Sequence, residues 1–213
     1  MRSQPLSRHM LAFGLAALAG MVDALGLLKL GGLFVSFMSG NSTRLAVGVA
    51  TGSAVAVTAA GLIAAFLAGV IAGALVARRA GRWRKQAVLA LVLALLIVAA
   101  MLVDGHGDLL TLPMATAMGA VNNVFQRDGE VSIGVTYMTG ALVKMGQAIA
   151  AAMTGGPRWG WLLWLLLWLG LIAGAIIGTA LFGGIGLAAL WVACGWCALL
   201  LGWSLRLGPL PLA

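Results

Sequence analysis

Acidic residues are scarce in this chain, with five Asp and Glu against thirteen Lys and Arg in 213 residues, and charged residues of both signs make up only 8%. A water-soluble domain is about one quarter charged, so a soluble globule is excluded. Histidine occurs twice, cysteine twice and tyrosine once. His9 lies near a terminus and His106 in a loop. No HExxH, Walker or GxSxG pattern is present, and no nucleophile, base and orienting group stand together. The expectation is therefore no enzyme, no metal and no cofactor. Two cysteines make no disulfide framework. Cys194-Gly-Trp-Cys197 lies inside an apolar run without a thioredoxin-like strand and helix, and reads as small buried residues one helical turn apart.

What the chain does have is apolar sequence: 62% hydrophobic residues and a mean hydropathy of +1.09. This is the composition of an integral membrane protein. The net charge of +8 raises the question of nucleic acid, but Lys and Arg are confined to short segments between apolar runs. That distribution is an orientation signal and a contact for anionic lipid, not a nucleic-acid face.

The apolar runs cover roughly 11–30, 55–77, 86–103, 109–126, 161–182 and 185–205, each near the ~20 residues that cross a bilayer. The first follows Arg2 and Arg8 as a signal peptide would, but its length, Asp23 and Lys29 mark it as a retained span. Between the first and second runs lies Gly32-Leu-Phe-Val-Ser-Phe-Met-Ser-Gly-Asn-Ser-Thr-Arg44. One hundred positions on, Val135, Met138, Gly140 and Lys144 repeat Val35, Met38, Gly40 and Arg44, with Thr136 and Thr139 in place of Ser36 and Ser39. Gly69 and Gly73 recur likewise as Gly170 and Gly174, spaced as helix-packing residues are in lipid.

The chain thus reads as a single membrane domain, 1–213, made of two repeats, 10–103 and 109–206. If both polar segments, 33–52 and 132–153, are re-entrant half-helices, six spans place both termini in the cytoplasm. Nearly all basic residues then face inward, with Lys29 outside and Arg44 and Lys144 within the membrane. Eight spans would split the basic residues between the faces, and the positive-inside rule favours six. Three spans per half make the repeat inverted. Ser39, Asn41, Ser42 and Thr43 are cap residues, predicting a half-helix from Thr43 to Gly52, about 15 Å long at 1.5 Å per residue. Asp104-Gly-His106-Gly-Asp108 reads as a solvated turn between the halves. Trp159 and Trp161 suit an interfacial belt, while Trp164 and Trp168 lie deeper.

Polar residues at membrane depth are the candidate site. Asp23 is the one acidic residue within an apolar run, and Arg44, Lys144 or a helix N-terminus is its expected partner. Ser39, Asn41, Thr43 and Arg44 come from the first break, and Thr136, Tyr137, Thr139 and Lys144 from the second. Asn122 and Asn123 stand where the second half would place its counterpart of Asp23.

Gly20-Met-Val-Asp-Ala24, the Gly32 to Arg44 segment with its Ser-Gly-Asn signature, and Ala117-Met-Gly-Ala-Val-Asn122 resemble the YoaK-like family of bacterial integral membrane proteins, a domain of unknown function, over nearly the whole chain. The resemblance implies about six spans and brings no substrate. The sequence departs from the family at Val121-Asn122-Asn123, where Gln-Asn-Ala is expected. Opposed half-helices at mid-membrane are how channels and secondary transporters build their sites. The expectation is a small-solute or ion permease of the bacterial inner membrane, embedded in the lipid bilayer, with small-residue faces that suit a homodimer. The alternative is a non-transporting scaffold that recruits a partner.

Overall fold

The computed structural model describes residues 6–105, 107–127, 130, 131 and 134–209. Arg2 and His106 lie outside the described residues. Within them the order is α1 (Leu6–Leu30), α2 (Met38–Thr51), α3 (Val55–Ala80), α4 (Arg84–Met101), α5 (Thr111–Val121), β1 (Gln126–Arg127), β2 (Glu130–Val131), α6 (Met138–Met153), α7 (Leu162–Ile185) and α8 (Ala189–Arg206).

Three stretches, His9–Leu30, Val55–Met101 and Leu162–Arg206, are helical, long and apolar enough to cross a membrane. The second and third each fold into two helices at a glycine, Gly81 (φ +53°) and Gly186 (φ +59°). The left-handed backbone there admits glycine without strain and turns the chain back on itself.

α5 departs from the expected length. It has eleven residues and continues as a 3-10 turn, Asn122–Phe125, about 24 Å in all at the usual rises, short of the ~30 Å hydrocarbon core. The cause is local. Asn122 Nδ2 donates to the carbonyl of Met118 at 3.0 Å and Asn123 Nδ2 to that of Ala120 at 3.2 Å, and asparagines that bond nearby backbone carbonyls compete with a regular helix end. Beyond the turn, β1 and β2 pair antiparallel as Gln126↔Val131 and Arg127↔Glu130, a small ladder in an otherwise helical chain. The predicted start of the first half-helix at Thr43 is also corrected. α2 begins at Met38 with no side-chain cap, and Ser39, Asn41, Ser42 and Thr43 lie inside it. The non-helical break is the segment 31–37, opened by Gly31 (φ +62°) and Gly32 (φ +128°).

The recurring glycines place the helices. Gly170, Gly174 and Gly178 of α7 abut the carbonyls of Phe13, Ala17 and Met21 of α1, so these two helices run parallel, with Gly20 of α1 against Leu171 in return. α3 and α5 repeat the arrangement. Gly69 abuts Thr116 and Gly73 abuts Ala120, while Gly119 of α5 meets Phe66. At the tightest of these contacts, such as Gly174 on Ala17 and Gly69 on Thr116, a Cβ would fall inside contact distance of a backbone oxygen. The glycines therefore set the interhelical spacing and leave room for Cα–H···O=C contacts. α4 and α8 pack antiparallel, since Gln86 near the start of α4 donates to the carbonyls of Ser204 and Gly208 at the end of α8, at 2.8 and 3.1 Å. The core lies where these pairs meet, with Leu11, Leu15, Leu18, Leu89, Leu96, Met114, Met118 and Leu190 fully buried. α2 packs chiefly on α3 and α6 on α7, so both sit at the periphery of the bundle.

Candidate functional site

Past Leu30 the chain does not leave α1 behind. The amide of Gly32 donates to the carbonyl of Leu27 at 3.3 Å, and Val35 lies against Gly26, whose missing side chain makes room for it. The loop thus runs backward along the last two turns of α1 before α2 begins.

Two polar side chains hold it there. Asp23 Oδ1 accepts the backbone N–H of Val35 at 2.9 Å and of Ser36 at 2.8 Å. Asn41, fully buried, reaches back from the first turn of α2 and pairs with the backbone of Phe34 in both directions. Its Oδ1 accepts the Phe34 N–H at 2.9 Å and its Nδ2 donates to the Phe34 carbonyl at 2.6 Å. An amide side chain here imitates a strand partner, satisfying backbone groups that lipid cannot.

The second half reproduces the device with an amide. Asn122 Nδ2 donates to Thr136 Oγ1 at 2.9 Å, and Asn122 Oδ1 accepts from the Thr136 hydroxyl at 3.1 Å and from its N–H at 3.4 Å. Each contact uses its own proton, from the side-chain amide, the hydroxyl and the backbone N–H respectively. Thr136 stands one hundred positions after Ser36, and Asn122 ninety-nine after Asp23. Asn41 has no polar counterpart, since Ala141 takes its place. Asn123 turns away from the loop and donates to the carbonyl of Val70 at 3.1 Å, tying α5 to α3.

The expected ion pair of Asp23 with Arg44 or Lys144 is not formed. Two backbone amides occupy the carboxylate, and the Arg44 guanidinium lies beside the backbone of Gly32. Lys144 Nζ sits 4.7 Å from the ring centroid of Trp164, a cation–π contact. Ser39, Thr43, Thr139 and Tyr137 are exposed on the outer sides of the two breaks, and the Thr43 hydroxyl donates to the carbonyl of Ser39 at 3.2 Å. The candidate residues therefore form two separate clusters, one around Asp23 and Asn41 and the other around Asn122 and Thr136, with the cations outside both. Lys29 pairs instead with Asp108 at 3.3 Å, which joins the end of α1 to the approach to α5.

Sequence reasoning passed over Ser36 as a site residue, although its match with Thr136 signalled it. It also passed over Trp164 as the seat of Lys144. Cys194 and Cys197 are free thiols buried in α8.

A helical bundle with apolar stretches long enough to cross a bilayer, and polar loops folded back and satisfied from within, is an integral membrane protein. The profile of the family described as a protein of unknown function (DUF1275) matches residues 11–203, and the chain belongs to that family. It is 44% identical over 182 residues, 85% of this chain and 79% of the relative, to the UPF0700 transmembrane protein RA0705 of Rhizobium meliloti (strain 1021). No solved structure matches.

Proposed function

We propose that the protein is a small-solute or ion permease of the bacterial inner membrane, built as an inverted repeat of three spans and one re-entrant half-helix. Helix directions support the topology. α1 runs parallel to α7 and α4 antiparallel to α8, and Lys29 after α1 meets Asp108 before α5. If both breaks return the chain to the face it left, α1, α4 and α7 run one way and α3, α5 and α8 the other, which accommodates all three observations. Were both to cross, α4 and α8 would be parallel and Lys29 and Asp108 would lie on opposite faces. Were only one to cross, α1 and α7 would oppose each other. The six-span arrangement puts both termini in the cytoplasm with the Arg78 to Lys85 cluster, as the positive-inside rule requires.

The observation that carries the transport reading is the matched pair of backward loops, held by Asp23 on Ser36 and by Asn122 on Thr136. Irregular backbone at membrane depth is tolerated where protein or a water-filled cavity surrounds it, and transporters place their sites at such breaks. Ser39, Thr43 and Arg44 face outward from α2, and Thr139 and Lys144 from α6. A single copy does not enclose these residues, so the conduit we propose runs between two copies of the chain.

The test is flux through proteoliposomes of the full-length protein, followed by light scattering after an osmotic step in potassium chloride, sodium lactate, urea or glycerol. The expected result is faster relaxation than in protein-free vesicles for at least one of these probes, slowed in the Arg44→Gln, Lys144→Gln double variant. Wild-type vesicles indistinguishable from protein-free ones in all four probes would favour a scaffold. That second reading draws on the exposed apolar side chains of α2, Val47 and Val49.

A further inference from the structure

α1 and α8 run antiparallel where Gly14 faces Leu200, and α7 closes the third side of a cavity of about 460 Å³ between them. The volume falls within the ~300–1,000 Å³ of small-molecule sites. Its wall is almost wholly apolar, built by Met10, Phe13, Leu166, Leu199 and Trp203. Trp196 also lines it, with its one polar atom already engaged, since the indole N–H donates to the carbonyl of Gly14 at 2.9 Å. Gly14 keeps the floor open, because any Cβ there would press on Leu200. Water gains nothing in such a space.

One end of the groove is different. His9 and Trp203 line it there, and Arg206, exposed, lies three residues beyond Trp203 on the same helical face. The Gln86 bonds to Ser204 and Gly208 bring the start of α4, with Arg84 and Lys85, to that same end. An apolar slot that opens at a basic rim matches a molecule with an apolar tail and an anionic head.

We infer that this groove binds one acyl chain of an anionic phospholipid, whose phosphate sits against Arg206. The inference needs the membrane setting but not the transport reading. A second copy in the same orientation would bring the basic rim against its like, whereas a phosphodiester brings the opposite charge.

The experiment is native mass spectrometry of the full-length protein after incubation with equal amounts of phosphatidylglycerol and phosphatidylethanolamine and removal of free lipid. The wild type is expected to retain one phosphatidylglycerol per chain. Leu166→Trp with Leu199→Trp fills the groove and abolishes retention, whereas Leu75→Trp, exposed on α3, does not. Arg206→Gln, a surface change that leaves the fold intact, lowers the preference for phosphatidylglycerol about fivefold, the weight of one basic residue near an anionic lipid. Equal retention of the two lipids by the wild type, or unchanged retention in the groove-filled variant, overturns the proposal. So does a dimer that dissociates in that variant with no lipid mass on the monomer, since a second copy would then be the occupant.

Discussion

Replacing Asp23 separates its role as an acceptor from any role for its charge. In Asp23→Ala the amides of Val35 and Ser36, two buried residues that now donate at 2.9 and 2.8 Å, lose their acceptor. Each orphaned donor costs about 1–3 kcal/mol, so the loss is roughly 2–6 kcal/mol. Asp23→Asn keeps an oxygen at the same position. Two hydrogen bonds to an ionised carboxylate contribute about 1.5–3 kcal/mol each, against about 0.5–1.5 for neutral ones. Holding the charge within the membrane costs about 2.5–3.5 kcal/mol, so the two forms come out within about 1 kcal/mol of one another. Asn122, which does the equivalent work in the second half, shows that an amide suffices. The assay is built into the chain, because Cys194 and Cys197 are buried and react with a fluorogenic thiol dye only on unfolding. At about 2–4 °C per kcal/mol for a chain of this length, Asp23→Ala should lower the midpoint by roughly 4–24 °C and Asp23→Asn by less than about 4 °C. Equal losses in the two variants would refute the acceptor argument and return the charge itself to the centre of the site.

The same dye assay orders the glycines. Gly174→Ala and Gly69→Ala should each destabilise by at least about 1–3 kcal/mol, the usual result of overpacking, while Gly184→Ala, with open space around it, should be neutral or stabilising through helix propensity. Lys144→Ala should cost about 0.5–1 kcal/mol for its exposed contact with Trp164, and Lys144→Arg should restore it; equal stability of all three proteins would dismiss the contact. Single cysteines at Ser39 and Thr139, both exposed, placed in a Cys194→Ala, Cys197→Ala background, should react with an impermeant reagent from opposite faces of the membrane. Reaction of both from one face would rule out the inverted repeat. In hydrogen exchange the amides of Phe34, Val35 and Ser36 should be protected longer than that of Thr136, whose bond is 3.4 Å.

The helices were legible because lipid imposes a simple rule. Long apolar runs become helices, and the glycines that recur between the halves set their contacts. Gly69 and Gly170, read from spacing alone, lie against Thr116 and Phe13. The breaks were legible as places but not as geometry. Ser39, Asn41 and Thr43 are good caps in any sequence, yet the helix starts before them. The reason is that Asn41 gains more by pairing with both backbone groups of Phe34 inside the fold than by capping an end. The acceptor role of Asp23 was hidden for a related reason. Its backbone partners lie twelve and thirteen residues away, marked in the sequence only by the match of Ser36 with Thr136, so the eye goes to Arg44. Asn123 and Val70 meet across 53 positions, a contact that only the packing of α3 on α5 creates.

The two loops share a plan but are not held equally. The first has a carboxylate on two amides and an asparagine on both groups of Phe34, four bonds of 2.6 to 2.9 Å. The second has Asn122 on Thr136 alone, at 2.9, 3.1 and 3.4 Å, and Ala141 offers nothing where Asn41 stands. α1 also continues as helix behind the first loop to Leu30, while α5 has already given way to a 3-10 turn and a two-residue ladder behind the second. Local opening is drawn from the segments with the fewest buried bonds. On the permease reading proposed above, the contact of Asn122 with Thr136 is therefore expected to open before those that Asp23 and Asn41 make with the loop before α2.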